Sequence, residues 1–165
     1  MTLHEIKTLL AFNAWASNRI FETMASMTAD QCMKDMRSSL GSIHGTLVHL
    51  VGAEKLSLAR WQGRTEPLLA ASDVPSREAL IEVWEKTGLE TARFVGTLTD
   101  KKLQESFVVK TMKGEVFECL LWQTFQHMVD HSTYHRGQAI TLMRQLGVTP
   151  PSTGLLRFYS EAHRR

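Results

Sequence analysis

Three of the chain's seven histidines, His127, His131 and His135, stand four positions apart within one short stretch. On a helix that spacing stacks imidazoles on one side, one turn apart. Neutral imidazole is the commonest protein ligand for a metal ion, so such a stack is a candidate half of a metal centre. At about 100° per residue, His131 lies roughly 40° from His135, and His127 roughly 80° from it. His131 and His135 therefore make the better chelate, while His127 drifts toward the flank as a neighbour.

The surrounding apolar seam is Leu121, Phe125, Met128, Ser132, His135, Ala139, Leu142 and Leu146, which aims His135 at a core. A lone histidine on a mixed face is more often structural than a ligand. A buried neutral pair without metal needs other partners for its ring nitrogens. Two ligands rarely suffice, so a third must come from another helix. His49 is the best candidate, placed mid-helix among Gly45, Gly52 and Ala53, which would let a neighbour approach closely. Periodicity alone does not aim it at His135, because it is offset from the stronger seam of its helix. His44, at a helix start, is expected in solvent, as are His4 and His163 near the termini. The spacing also differs from the H-E-x-x-H of zinc proteases, whose Glu is the general base. Ser132 occupies that place here, which disfavours protease chemistry.

Four long amphipathic patterns must position these residues. The first covers about Thr2 to Met27, with Asn13 and Ser17 as polar members of an otherwise apolar seam, a hint of something polar inside. The second starts after Ser42, a plausible N-cap, and ends near Trp61 to Gly63. Its seam is Ile43, Leu47, Leu50, Glu54, Leu58 and Trp61. The third starts after Ser76 and reaches about Leu98. The fourth runs from about Glu118 to Leu146 and stops at Gly147. Phe107 to Val109 and Val116 to Phe117, flanking Lys113-Gly114, read as a short hairpin before that last long helix. A short terminal helix covers Leu155 to Ala162. The expected fold is an all-α four-helix bundle, a common host of metal sites, in one domain over residues 1–165.

Net charge is +2, with lysines and arginines scattered, so no nucleic-acid partner is expected. Only two cysteines occur, Cys32 and Cys119, without a CxxC, which disfavours a disulfide framework or a cysteine zinc module. Cys32 is expected in a loop and Cys119 at a helix start. No signal-peptide pattern and no run of ~18 apolar residues is present, so no membrane partner and a cytoplasmic location are expected. Arg136 is expected in solvent or an ion pair.

Several blocks together carry a family resemblance. Leu9-Leu10-Ala11-Phe12-Asn13-Ala14-Trp15-Ala16-Ser17-Asn18-Arg19 is one. Ile43-His44-Gly45-Thr46-Leu47-Val48-His49-Leu50 through Glu54 is the second. Gly114 to Phe117, Trp122, His127, His131 and His135-Arg136-Gly137-Gln138 form the third. Gln145-Leu146-Gly147 and Pro150-Pro151 close the pattern. Over nearly its whole length the chain resembles the DinB/YfiT-like metalloprotein family, although Gly154 stands near a position where many members carry Asp. The resemblance implies an up-down-down-up bundle, a divalent metal held by His49, His131 and His135, and frequently a homodimer.

A three-histidine ion keeps at least one position open and can activate bound water or a thiol. Zinc or nickel is the leading expectation, with iron and manganese also compatible, because three nitrogens do not fix the metal. Glu54, His127, Asp130, Gln138 and Asn13 are candidates to orient the imidazoles, and Glu54 could also serve as a base or extra ligand. No catalytic residue is assigned. Characterised relatives include transferases using low-molecular-weight thiols. The leading expectation is therefore a metal-dependent thiol S-transferase, or a related hydrolase or isomerase, acting on a small molecule. The alternatives are a non-catalytic metal-binding stress-response protein and a metal-free bundle.

Overall fold

The computed structural model describes residues 1–110 and 114–162. Its helices are α1 (Leu3–Ala25), α2 (Ala29–Met33), α3 (Ile43–Trp61), α4 (Arg77–Gly96), α5 (Asp100–Leu103), α6 (Leu121–Gln145) and α7 (Leu155–Ala162). Strands β1 (Ser106–Lys110) and β2 (Val116–Leu120) pair antiparallel between α5 and α6.

Side-chain caps set the helix starts. Ser42 Oγ accepts from the Gly45 amide at 3.0 Å, and Ser76 Oγ accepts from the Ala79 amide at 3.2 Å. Thr2 and Glu5 form a reciprocal capping box on α1. A second box, Thr28 with Gln31, opens α2, so Cys32 lies buried in a short helix and not in a loop. The first helix accordingly stops at Ala25, short of Met27. The fourth long helix also starts later than its periodicity suggests. Glu118, Cys119 and Leu120 pair with Val108, Phe107 and Ser106, so Cys119 belongs to β2. The Leu121 amide then donates to the Glu105 carbonyl at 3.0 Å and ends the ladder. Lys113, in the expected hairpin turn, lies outside the described residues.

Two apolar clusters fill the bundle. One joins Ile20 and Met24 of α1, Ile43 and Leu47 of α3, Leu80 of α4 and Met143 of α6. The other joins Ile6, Leu58, Val95 and Phe125 of the same four helices. Thus α1 and α6 run from the second cluster to the first, while α3 and α4 run the opposite way, giving up-down-down-up. Each fully buried aliphatic side chain contributes roughly 1.5–3 kcal/mol.

Between the clusters lies a polar layer. Asn13 and Ser17 of α1, Glu54 of α3, and Ser132 and Arg136 of α6 are all buried. Arg136, only 1% exposed, is out of solvent and makes no direct ion pair among the described residues. It donates to Asn13 Oδ1 at 2.5 Å, Ser17 Oγ at 3.1 Å and Thr133 Oγ1 at 2.7 Å. Its guanidinium also lies over the Phe12 ring, 5.6 Å from the centroid. Among the described residues, no helix is long and apolar enough to cross a membrane.

Candidate metal centre

The three histidines meet beside that polar layer, between α3 and α6. His131 Nε2 lies 3.1 Å from His135 Nε2 and 3.3 Å from His49 Nε2. One nitrogen from each ring falls within a 4.8 Å group. Two ligands at metal–nitrogen distance stand about 2.9 Å apart at a right angle and about 3.4 Å apart at the tetrahedral angle. The observed separations lie in that range.

The donor chemistry also fits a cation. His135 Nδ1 is 2.8 Å from Gln138 Oε1, an oxygen that only accepts, so the proton sits on Nδ1 and the Nε2 lone pair faces the cluster. A neutral His131 cannot satisfy both neighbours through one Nε2 proton. Its buried Nδ1 has no partner among the described residues. A cation at the centre would accept lone pairs from all three rings. Burial, reinforced by His135, His49 and His127, holds His131 down to about 4, with Asp130 opposing weakly. Burial and the neighbouring His135 likewise lower His49. Both rings are therefore neutral near pH 7, as ligation requires.

The close packing expected around His49 is present. A Cβ on Gly45 would stand 2.2 Å from the Leu40 carbonyl oxygen, and one on Gly52 would stand 3.1 Å from Leu69 Cβ. These contacts press α3 against its flanking loops.

The other candidates separate. Gln138 touches His135 as described. His127 is exposed, its ring centroid 6.4 Å from that of His131. Asp130 is exposed. Glu54 and Asn13 do not reach the imidazoles but bond to each other, with Asn13 Nδ2 donating to Glu54 Oε1 at 2.8 Å. Ser132 Oγ donates to the same oxygen at 2.7 Å. His44 is buried, against expectation, because its Nε2 donates to the Val74 carbonyl at 2.8 Å. His4 is exposed, and His163 lies outside the described residues.

Cavities flank the cluster along the α3–α6 groove. Toward the hairpin, one of ≈ 440 Å³ is lined by Trp61, Phe107, Phe117, Arg60, Cys119 and His127. Toward the start of α3, one of ≈ 560 Å³ is lined by Arg37, Thr46, Tyr134 and Gln138, among others.

A helical bundle with three convergent histidines between two of its helices is the class that fold and site define. A model of the DinB family matches residues 1–165, and the chain belongs to that family. It is similar to Protein DinB of Bacillus subtilis (strain 168), 23% identical over 164 residues, spanning 94% of this chain and 95% of that protein. It also resembles the crystal structure of a DinB-like protein from Bacillus cereus ATCC 10987. That likeness has a TM-score of 0.70 at 19% identity, covers 88% of this chain and 95% of the other, and speaks to the fold.

Proposed function

We propose that this protein is a divalent-metal-dependent transferase that joins a low-molecular-weight thiol to a small electrophile. The observation that carries this reading is the convergence of His49, His131 and His135 between two cavities. When bound, a divalent ion would lower the pKa of a thiol or water and so supply a nucleophile near neutral pH. His49 and His131 are partly exposed, which leaves the centre approachable from the groove.

The chain's own residues would divide the remaining work. The polar cavity, with Arg37, suits a charged thiol carrier, and the apolar cavity under the hairpin suits the electrophile. The thiol loses its proton, its sulfur lone pair forms the new bond to carbon, and the leaving group departs with the old bonding pair. His127, one turn before His131 and lining the apolar cavity, is our candidate to receive the thiol proton and return it to the leaving group. Gln138 fixes the His135 tautomer.

Zinc or nickel is the metal we favour, and elemental analysis of untagged protein decides among these, iron and manganese. Conjugation of a small thiol to an activated aryl halide should vanish after chelation and return with metal. Turnover that survives metal removal would sink the metal-dependent mechanism. Full metal content in His49→Ala would sink the site itself. The homodimer belongs to this proposal too. Exposed Leu155, Leu156 and Tyr159 on α7 offer it an apolar face, and sedimentation of Leu156→Asp against wild type tests it.

A further inference from the structure

A third cavity lies on the other side of the bundle from the α3–α6 groove, between α1 and α4. It has a volume of ≈ 380 Å³. Its walls include Leu10, Ala14, Trp84, Gly88, Val95 and Met128. Small residues such as Ala14 and Gly88 leave part of the space between the two helices unfilled. Lys7 is exposed at the rim, where salt screens its charge.

Glu54 also lines this cavity, though it is only 8% exposed. Its two oxygens are treated unequally. Oε1 receives both available donors, from Asn13 and Ser132. Among the described residues, no donor reaches Oε2. The nearby cation does not fill that role, since Arg136 donates to Asn13, Ser17 and Thr133 instead. Oε2 is not sealed off with the buried unpartnered atoms, so it is open to a partner from the cavity, and a concave, mostly apolar pocket with a few polar groups is the usual form of a small-molecule site.

We infer that this cavity binds a small primary ammonium compound with an apolar body, its N–H groups on Glu54 Oε2 and its body against Leu10, Trp84, Val95 and Met128. The charge-assisted bond supplies selectivity and the walls supply contact area. The inference does not rest on the metal reading, because its argument uses Glu54 and the α1–α4 walls and none of the three histidines.

The test uses the full chain with phenylethylamine as probe and the isosteric phenylethanol as its neutral counterpart, by calorimetry at millimolar concentrations. The amine should bind at least about tenfold more tightly than the alcohol, the discrimination expected of a hydrogen bond to a charged group. Gly88→Leu should abolish binding of both while melting no lower than wild type. A Cβ there meets nothing within 4 Å, and Gly88 is a weak helix former inside α4. Glu54→Gln should bring the amine-to-alcohol ratio close to unity. Equal binding of amine and alcohol to wild type overturns the inference, as does absence of amine binding or binding that survives Gly88→Leu. These outcomes need only wild type and Gly88→Leu, so they stand even if Glu54→Gln does not fold.

Discussion

Arg136→Met tests what holds the middle of the bundle together. Methionine refills much of the arginine's apolar volume, so the change isolates the guanidinium. Three hydrogen bonds disappear, to Asn13, Ser17 and Thr133. Asn13 Oδ1 loses a charged donor, and the buried Glu54 carboxyl loses the positive charge nearby. Removing one partner of a buried charge pair costs about 3–5 kcal/mol. Arg136 reaches Glu54 through Asn13 and not directly, so the lower end, about 3 kcal/mol, is expected. For a chain of this size that corresponds to a melting point lower by roughly 6–12 °C. Urea unfolding followed by circular dichroism, with the denaturant slope unchanged, reads the loss. Combining Arg136→Met with Glu54→Gln should recover at least about 1 kcal/mol relative to additivity.

The same variant has a pH signature. Burial pushes the Glu54 carboxyl up, while bonds from Asn13 and Ser132 and the charge of Arg136 pull it back. Without Arg136, Glu54 rises further. A raised folded pKa means stability is full below the ordinary carboxylate value and is lost as pH climbs through the folded one. The deficit of Arg136→Met should therefore shrink on acidification and grow as pH rises, following the raised Glu54 carboxyl. A loss below about 1 kcal/mol, strict additivity with Glu54→Gln, or a deficit that grows on acidification would refute the account.

Further outcomes follow from the site and its packing. In chelated protein, His131 stays unprotonated down to about 4 while the unfolded chain protonates near 6.5. Stability is thus full above 6.5 and falls as pH drops toward 4; after solvent screening of a half-exposed ring, the loss from about pH 7 to about pH 5 is roughly 1 kcal/mol. His131→Gln should flatten that slope in denaturation curves, and a flat wild-type profile would count against the shift. Gln138→Leu removes the acceptor for His135 Nδ1 and should weaken metal binding by about 10–100-fold in competition with a chromophoric chelator, and unchanged affinity would show that Gln138 does not orient the ring. Gly45→Ala drives a Cβ into the Leu40 carbonyl and should destabilise by about 2 kcal/mol, whereas Gly137→Ala, with nothing within 4 Å, should stabilise by about 0.5–1 kcal/mol. Equal melting points for those two variants would contradict the close approach at Gly45.

Periodicity carried the four long helices, since their seams needed only local arithmetic. What it missed depended on distant parts of the chain. His44 and His49 share α3, but five residues turn the helix by about 500°, so the two rings face roughly 140° apart. One faces α6; the other meets the Val74 carbonyl, a partner supplied by the path of the loop after α3. No spacing rule anticipates that carbonyl. The start of α6 failed for a related reason: Glu118 to Leu120 fit a helical seam, yet β1 offers them a ladder. The short α2 was also missed, although Thr28 and Gln31 have the capping-box spacing that marks its start.

Arg136 is the most instructive omission. Asn13 and Ser17 on one seam and Glu54 on another already marked a polar interior, and an acid among neutral groups requires a compensating charge. The residue that provides it is offset by one position from a predicted ligand. On α6 the pair His131 and His135 is interleaved with the pair Ser132 and Arg136, each pair one turn apart. The first pair faces His49 across the groove, and the second faces Asn13 and Glu54 in the interior. A rotation of α6 that relaxed one set would therefore displace the other. The buried layer acts as a rotational lock on the histidines, which gives a physical reason for polar groups that an apolar core would otherwise replace at no loss of stability.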